Sequence, residues 1–228
     1  ANYSAPNLAF HTDVLEPKKT IHNVLKNDAK IESAIHEKYG MHVIPGVYEE
    51  LNSSDILKLK DKIKKVKENY DFIIIDSSPS LNEEILSTML ASDNLFVVTT
   101  PDYPTLNATL HAARLAKQRG KPIAGLIINK VRDPFYELTL REIEKMTEIP
   151  VVAKMPDNKI AARALFTRIP MTIYNKNSSV SKEISKLSAA MANQNQISLI
   201  KKIFPFHFKK EEVNREVLKQ TFYEPLFK

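Results

Sequence analysis

The stretch "DFIIIDSSPSLNEE", residues 71–84, decides how the rest of the chain is read. An apolar run, Phe72 to Ile75, leads directly into Asp76, and a polar loop follows. A strand apolar at every position is one buried on both faces, as in a parallel sheet. Ser80 and Glu83 have the spacing of a capping box, so a helix is expected to begin there. Asp76 would then stand at the tip of a buried strand. An aspartate in that place starts a turn or caps the next helix, or it holds a metal ion. The stretch alone leaves both uses open.

The same alternation extends in both directions. "MHVIP" (41–45) is a candidate strand. In "DILKLKDKIKKVKEN" (55–69), Ile56, Leu59, Ile63 and Val66 share one helical face, and lysines take most of the other. "NLFVVTT" (94–100), "IAGLIIN" (123–129), "PVVAKMP" (150–156) and "MTIY" (171–174) read as further strands. Helical periods fall at 104–120, 137–146, near 159–166, and at 179–191, with Gly120 placed to cap the first of these. Strand and helix in alternation predict an α/β fold, a mostly parallel β-sheet flanked by helices.

Composition sets outer limits. Of 228 residues, 43% are hydrophobic and 26% charged, which suits a soluble globular chain. No apolar run reaches the roughly 20 residues of a membrane span. No secretory signal and no cysteine are present, so a cytoplasmic location is the default expectation. A net charge of +6 permits approach to nucleic acid or an anionic membrane.

Ligands of open parallel sheets bind outside the carboxyl ends of the strands. Polar residues collect there: Asp76 to Ser78, Thr99 to Asp102, Asn129 to Arg132, and Pro156 with Asp157. In P-loop nucleotidases a carboxylate after a buried strand holds magnesium beside the nucleotide phosphates. The P-loop itself, G-x-x-x-x-G-K-[ST], is absent from the sequence. Gly120 and Gly125 have the required offset, but Leu126 and Ile127 follow them. The histidines show no metal-ligand spacing, and the serines of the 77–80 loop have no histidine partner in sequence.

"APNLAFH" (5–11), "IIIDSSPSLNEE" (73–84), "VVTTPDYPTLNATL" (97–110), "AGLIINKVRD" (124–133), "MPDNKIAARA" (155–164) and "RIPMTIYNKNSSVSKEISKLS" (168–188) follow one another in a telling order. In this the chain resembles the MinD/ParA group of deviant P-loop ATPases, in particular archaeal MinD-like proteins, over residues 1–191. The resemblance implies a P-loop NTPase fold of the SIMIBI-like kind. It also implies that the first strand and the P-loop of such a protein would lie upstream of Ala1, so this chain alone is expected to be inactive.

By the same resemblance, Asp76 matches the second-switch aspartate near magnesium and the attacking water. Asn129 matches the asparagine that recognises adenine, and Pro156 and Asp157 the loop on the other side of that base. Asn2, Ser4 and Asn7 fall in the first switch. Asn2 stands where many relatives carry a second aspartate; an asparagine can hold water but cannot take its proton as a carboxylate would. ATP or ADP with Mg2+ are the implied cofactors, and an ATP-bound homodimer the implied assembly.

Residues 192–228 form a basic, aromatic-rich extension. "ISLIKKIFPFHFKK" (197–210) can place Ile197, Ile200, Ile203 and Phe204 on one helical face with lysines elsewhere. MinD proteins end in a helix of that kind, held on anionic membrane by apolar burial and by roughly 1 kcal/mol per lysine. The expectation is a switch that positions cellular machinery, such as the division site, from the inner face of the cell membrane. A regulatory activator protein would stimulate it. Nonspecific DNA binding in the manner of a ParA partition protein is the rival, and a noncatalytic interaction module a third reading.

Overall fold

A computed structural model describes residues 1–78, 82–133, 135–194 and 209–223. The chain divides into two units, Ala1–Asp93 with Ala164–Pro170, and Asn94–Arg163 with Met171–Lys228.

The first unit holds helices α1 (Leu8–His11) and α2 (Ile21–Leu25), a hairpin of β1 (His36–Lys38) and β2 (Met41–Val43), then α3 (Ser53–Ile56), α4 (Leu59–Lys64) and α5 (Glu83–Ala91). The run 41–45 thus supplies a short antiparallel strand. Tyr39 and Gly40 turn the hairpin with φ of 53° and 72°. Positive φ at both central residues matches the twist of the flanking strands. Ile56, Leu59 and Val66 are buried with Tyr3, Val24 and Leu25, so the apolar face expected over 55–69 is real. The helix itself is broken. Lys58 N–H bonds Asp55 O and Val66 N–H bonds Ile63 O, each one residue short of α-helical spacing, and these tighter turns interrupt it.

The run 72–75 is not a strand. Phe72 is 45% exposed and Ile74 82%; Ile75 alone of the run packs against the core. A strand needs a ladder partner for its backbone groups. Among the described residues of this unit, the only pairing is the hairpin, which satisfies itself. Helix α5 begins later than expected. Its N-cap is Asn82, whose side chain accepts from Glu84 N and Ile85 N.

The second unit contains β3 (Leu95–Thr99), α6 (Tyr103–Gln118), β4 (Ile123–Val131), α7 (Leu140–Thr147), β5 (Val151–Pro156), α8 (Lys159–Phe166), α9 (Met171–Tyr174), α10 (Ser179–Met191) and α11 (Lys210–Tyr223). Residues from Ala164 to the end of α8 count with the first unit. The three strands lie in the order β3-β4-β5, all parallel. Leu126 and Ile128 bury one face of the sheet with Leu106 of α6 and Ile143 of α7. Ala124, Val152 and Ala153 meet Val180 and Leu187 of α10 and Leu218 of α11 in a second cluster. Such two-sided burial is what fully apolar strands require. Gly125 lets β4 and β5 approach, since a Cβ there would come within 2.6 Å of Val152 Cγ1.

The protein is therefore an α/β fold with a parallel three-stranded sheet flanked by helices. The run 171–174, expected as a strand, is helical. Asn175 N–H closes onto Met171 O at 3.0 Å, and Met171 packs against the core of this unit. A short apolar run that closes its own turn has no need of a sheet. No helix of the described residues is long and apolar enough to cross a membrane. Of the basic stretch 197–210, residues 197–208 lie outside the described residues.

Candidate functional site

Adjacent strand tips of the second unit carry Asn129, Pro156 and Asp157. Val131 of β4 pairs with Pro156 of β5. The Asp157 N–H donates to Val131 O at 2.9 Å, which sews the chain leaving β5 onto β4. Arg132 closes the same corner, its Nε donating to Asp157 Oδ2 at 2.5 Å. The two side chains are 68% and 40% exposed. Solvent screens such a pair, which is worth at most about 1 kcal/mol of stability. Its effect is geometric: it fixes the spacing of the two loops.

Asn129 is half-buried beside this corner. Its Oδ1 accepts from Lys130 N at 2.9 Å, and Lys130 has a left-handed backbone with φ of 54°. With the oxygen engaged, the amide NH2 is the group left to donate, and a ring nitrogen is a fitting acceptor. The loop beyond is pinned at both ends. Arg132 N–H donates to the Glu137 carboxylate at 2.9 and 3.0 Å, and Leu138 N–H to Pro101 O at 2.9 Å.

Asp102, grouped with the strand tips by sequence, is a helix cap. It accepts from Thr105 N and from the Thr100 hydroxyl. The Thr100 bond, then the Thr105 N–H, hold its carboxyl below the usual carboxylate range.

Asn2 and Asp76 belong to the first unit. Asp76 is exposed and stands at no strand end. The structure nevertheless packs its neighbour Ile75 against the same core as Ala1, the neighbour of Asn2. Glu84 joins this group as a residue that sequence reasoning missed. Its carboxylate accepts from Ser4 N at 2.8 Å and is buried. The available signal was helical phase, since Glu84 shares a face of α5 with buried Ser87 and Thr88. Arg132 was also underrated; a cation just after a strand gives no hint of its partner across the sheet.

The residues suit an adenine nucleotide with magnesium in different degrees. At these tips Asn129 offers a polar amide, Pro156 an apolar ring and Asp157 a carboxylate paired with Arg132. Asp76 is the hard oxygen donor that Mg2+ prefers, and Mg2+ usually keeps several waters and phosphate oxygens besides. Among the described residues no group of three or more His, Cys, Asp or Glu could hold a metal alone.

A model of the AAA domain family matches residues 12–164, more than half of the chain. The chain belongs to the AAA domain family. This AAA domain is of the deviant, MinD/ParA-like P-loop ATPase type, as its fold neighbours show. The cell division ATPase MinD of Pyrococcus furiosus superposes with a TM-score of 0.74 at 26% identity, covering 80% of this chain and 78% of that one. The septum site-determining protein MinD of Pyrococcus horikoshii, solved with Mg-ADP, superposes with a TM-score of 0.77 at 24% identity, covering 86% and 84%. An uncharacterized ATP-binding protein of Methanocaldococcus jannaschii is 28% identical over 207 residues, 87% of this AAA domain chain and 79% of the relative.

Proposed function

We propose that this protein is a MinD-like ATPase switch. It binds ATP with Mg2+, dimerises around the nucleotide, and positions cellular machinery through reversible attachment to an anionic membrane. One observation carries the reading: Asn129, Pro156 and Asp157 meet at the carboxyl end of neighbouring parallel strands, inside a MinD-like fold. Asn129 donates to the adenine ring, and Pro156 with Asp157 covers its other side. Asp76 holds magnesium, which when bound neutralises phosphate charge and orients a water. Asn2 supports that water without accepting its proton, so hydrolysis is slow.

None of the four glycines stands in a P-loop pattern. This chain by itself is therefore expected to turn over no ATP. Membrane attachment is assigned to residues 197–210, where Ile197, Ile200, Ile203 and Phe204 can share one helical face with Lys201 and Lys202 elsewhere. Two copies in a dimer bind far better than one, through effective concentration.

Cosedimentation of the full-length protein across a salt series tests this reading. Anionic liposomes should pellet it with ATP and much less with ADP. Pelleting with DNA instead, falling steeply with salt, would make it a partition-type ATPase. Binding to neither surface and to no nucleotide would leave an interaction module with the same fold.

A further inference from the structure

We infer that Glu84 is a positioning residue that clasps the segment carrying Asn2 onto the helix following Asp76. The two acidic residues opening α5 behave differently. Glu83 is exposed, as a first-turn acid beside the helix dipole is expected to be. Glu84 is only 5% exposed. Its Oε1 takes the Ser4 N–H at 2.8 Å, joining residues 80 apart in sequence. Its Oε2 is buried with no hydrogen-bond partner among the described residues, and so is Asn2 Oδ1.

Burying a carboxylate with one oxygen unserved is costly. Helix capping does not explain it, because Asn82 already serves the N–H groups of Glu84 and Ile85. Packing does not explain it either, since an apolar side chain would fill the site without that cost. What the carboxylate supplies is a charge-assisted bond to a backbone donor of a distant segment, shorter and stronger than a neutral one. Asn2 lies two residues before Ser4, and Asp76 lies on the chain leading into α5. The clasp therefore ties the Asn2 segment to α5, in a unit where Ala1 and Ile75, the neighbours of Asn2 and Asp76, pack against one core. Its consequence for hydrolysis rests on the switch reading given above; the clasp itself does not.

The test uses the full-length protein with Glu84→Ala, Glu84→Gln and, as control, Glu83→Ala. Amide hydrogen exchange at Ser4 is the first readout and needs no nucleotide. Glu84→Ala should speed it by more than about tenfold, the scale of one lost hydrogen bond to a charged group. Glu84→Gln keeps an acceptor oxygen and should restore most of the protection, while Glu83→Ala should leave Ser4 as it is. Nucleotide affinity and turnover, measured separately, form the second readout. Glu84→Ala should lower kcat and leave ATP affinity nearly unchanged, with Glu84→Gln in between. Unaltered Ser4 exchange in Glu84→Ala overturns the clasp, as does an equal loss in Glu84→Gln. A wild type that binds no ATP overturns the ATPase reading instead, and the exchange data still decide the clasp.

Discussion

His22 lies fully buried on α2, beside the core residues Ile21, Val24 and Leu25. Its Nδ1 accepts from Val47 N at 3.4 Å, and its ring meets Tyr3 edge-on at 5.9 Å. Nε2 is buried without a partner among the described residues. Burial holds the imidazole below its ordinary value of 6.5, with Glu49 pulling upward and Lys26 downward more weakly. Below that pH the unfolded chain binds a proton that the folded chain refuses, so folding weakens as pH falls from 6.5. Above it both states are neutral and the contribution vanishes. Denaturant titrations at about pH 7.5 and about pH 5.5 should show wild type losing more stability on acidification than His22→Gln. Equal losses would mean that the imidazole is not held neutral.

At the scale of elements, the sheet edge formed by β5 is guarded by side chains. An open strand edge invites pairing with other chains. Here Asn214 Nδ2 donates to Val151 O at 2.7 Å and Arg215 Nη1 to Val152 O at 3.0 Å, both from α11. Glu144 of α7 accepts from Val151 N at 2.9 Å. Arg215 also pairs with Glu183 of α10 at 2.6 Å, the two side chains only 5% and 12% exposed. Removing Arg215 leaves the largely buried Glu183 with only Lys186, at 3.6 Å, among the described cations, at a cost toward the lower end of the range for a broken buried pair, about 3 kcal/mol. Arg215→Ala should lose that much in urea unfolding and deprotect Val151–Lys154 to hydrogen exchange. A loss within about 1 kcal/mol, the range of an exposed pair, would contradict this.

None of that cover was legible in the sequence. Charged residues dominate "KEEVNREVLK" (210–219), yet Arg215 is buried. The strands 95–99, 123–131 and 151–156 were legible because their apolar residues have sheet neighbours to pair with and helices on both faces. The equally apolar 72–75 has no ladder partner among the described residues, and 171–174 closes its own turn. Composition states the demand for burial, and only tertiary context says whether it is met. Asn129, Pro156 and Asp157 were findable because strand tips of a parallel sheet converge by topology. Arg132 and Glu84 were not, because their roles depend on partners 25 and 80 residues away.

For the whole molecule, the parallel sheet with its helices gives a MinD-like scaffold, and the net charge of +6 lets it approach anionic surfaces. In the proposed function, the β4 and β5 tips recognise adenine. Calorimetric titration of the full-length protein with Mg-ATP and Mg-GTP, alongside Asn129→Ala, tests it most directly. ATP should bind in clear preference to GTP. Asn129→Ala should weaken ATP binding by about tenfold or more, since a polar group of the base loses its partner. Equal affinity for the two nucleotides, or an Asn129→Ala variant that binds ATP as the wild type does, would contradict it.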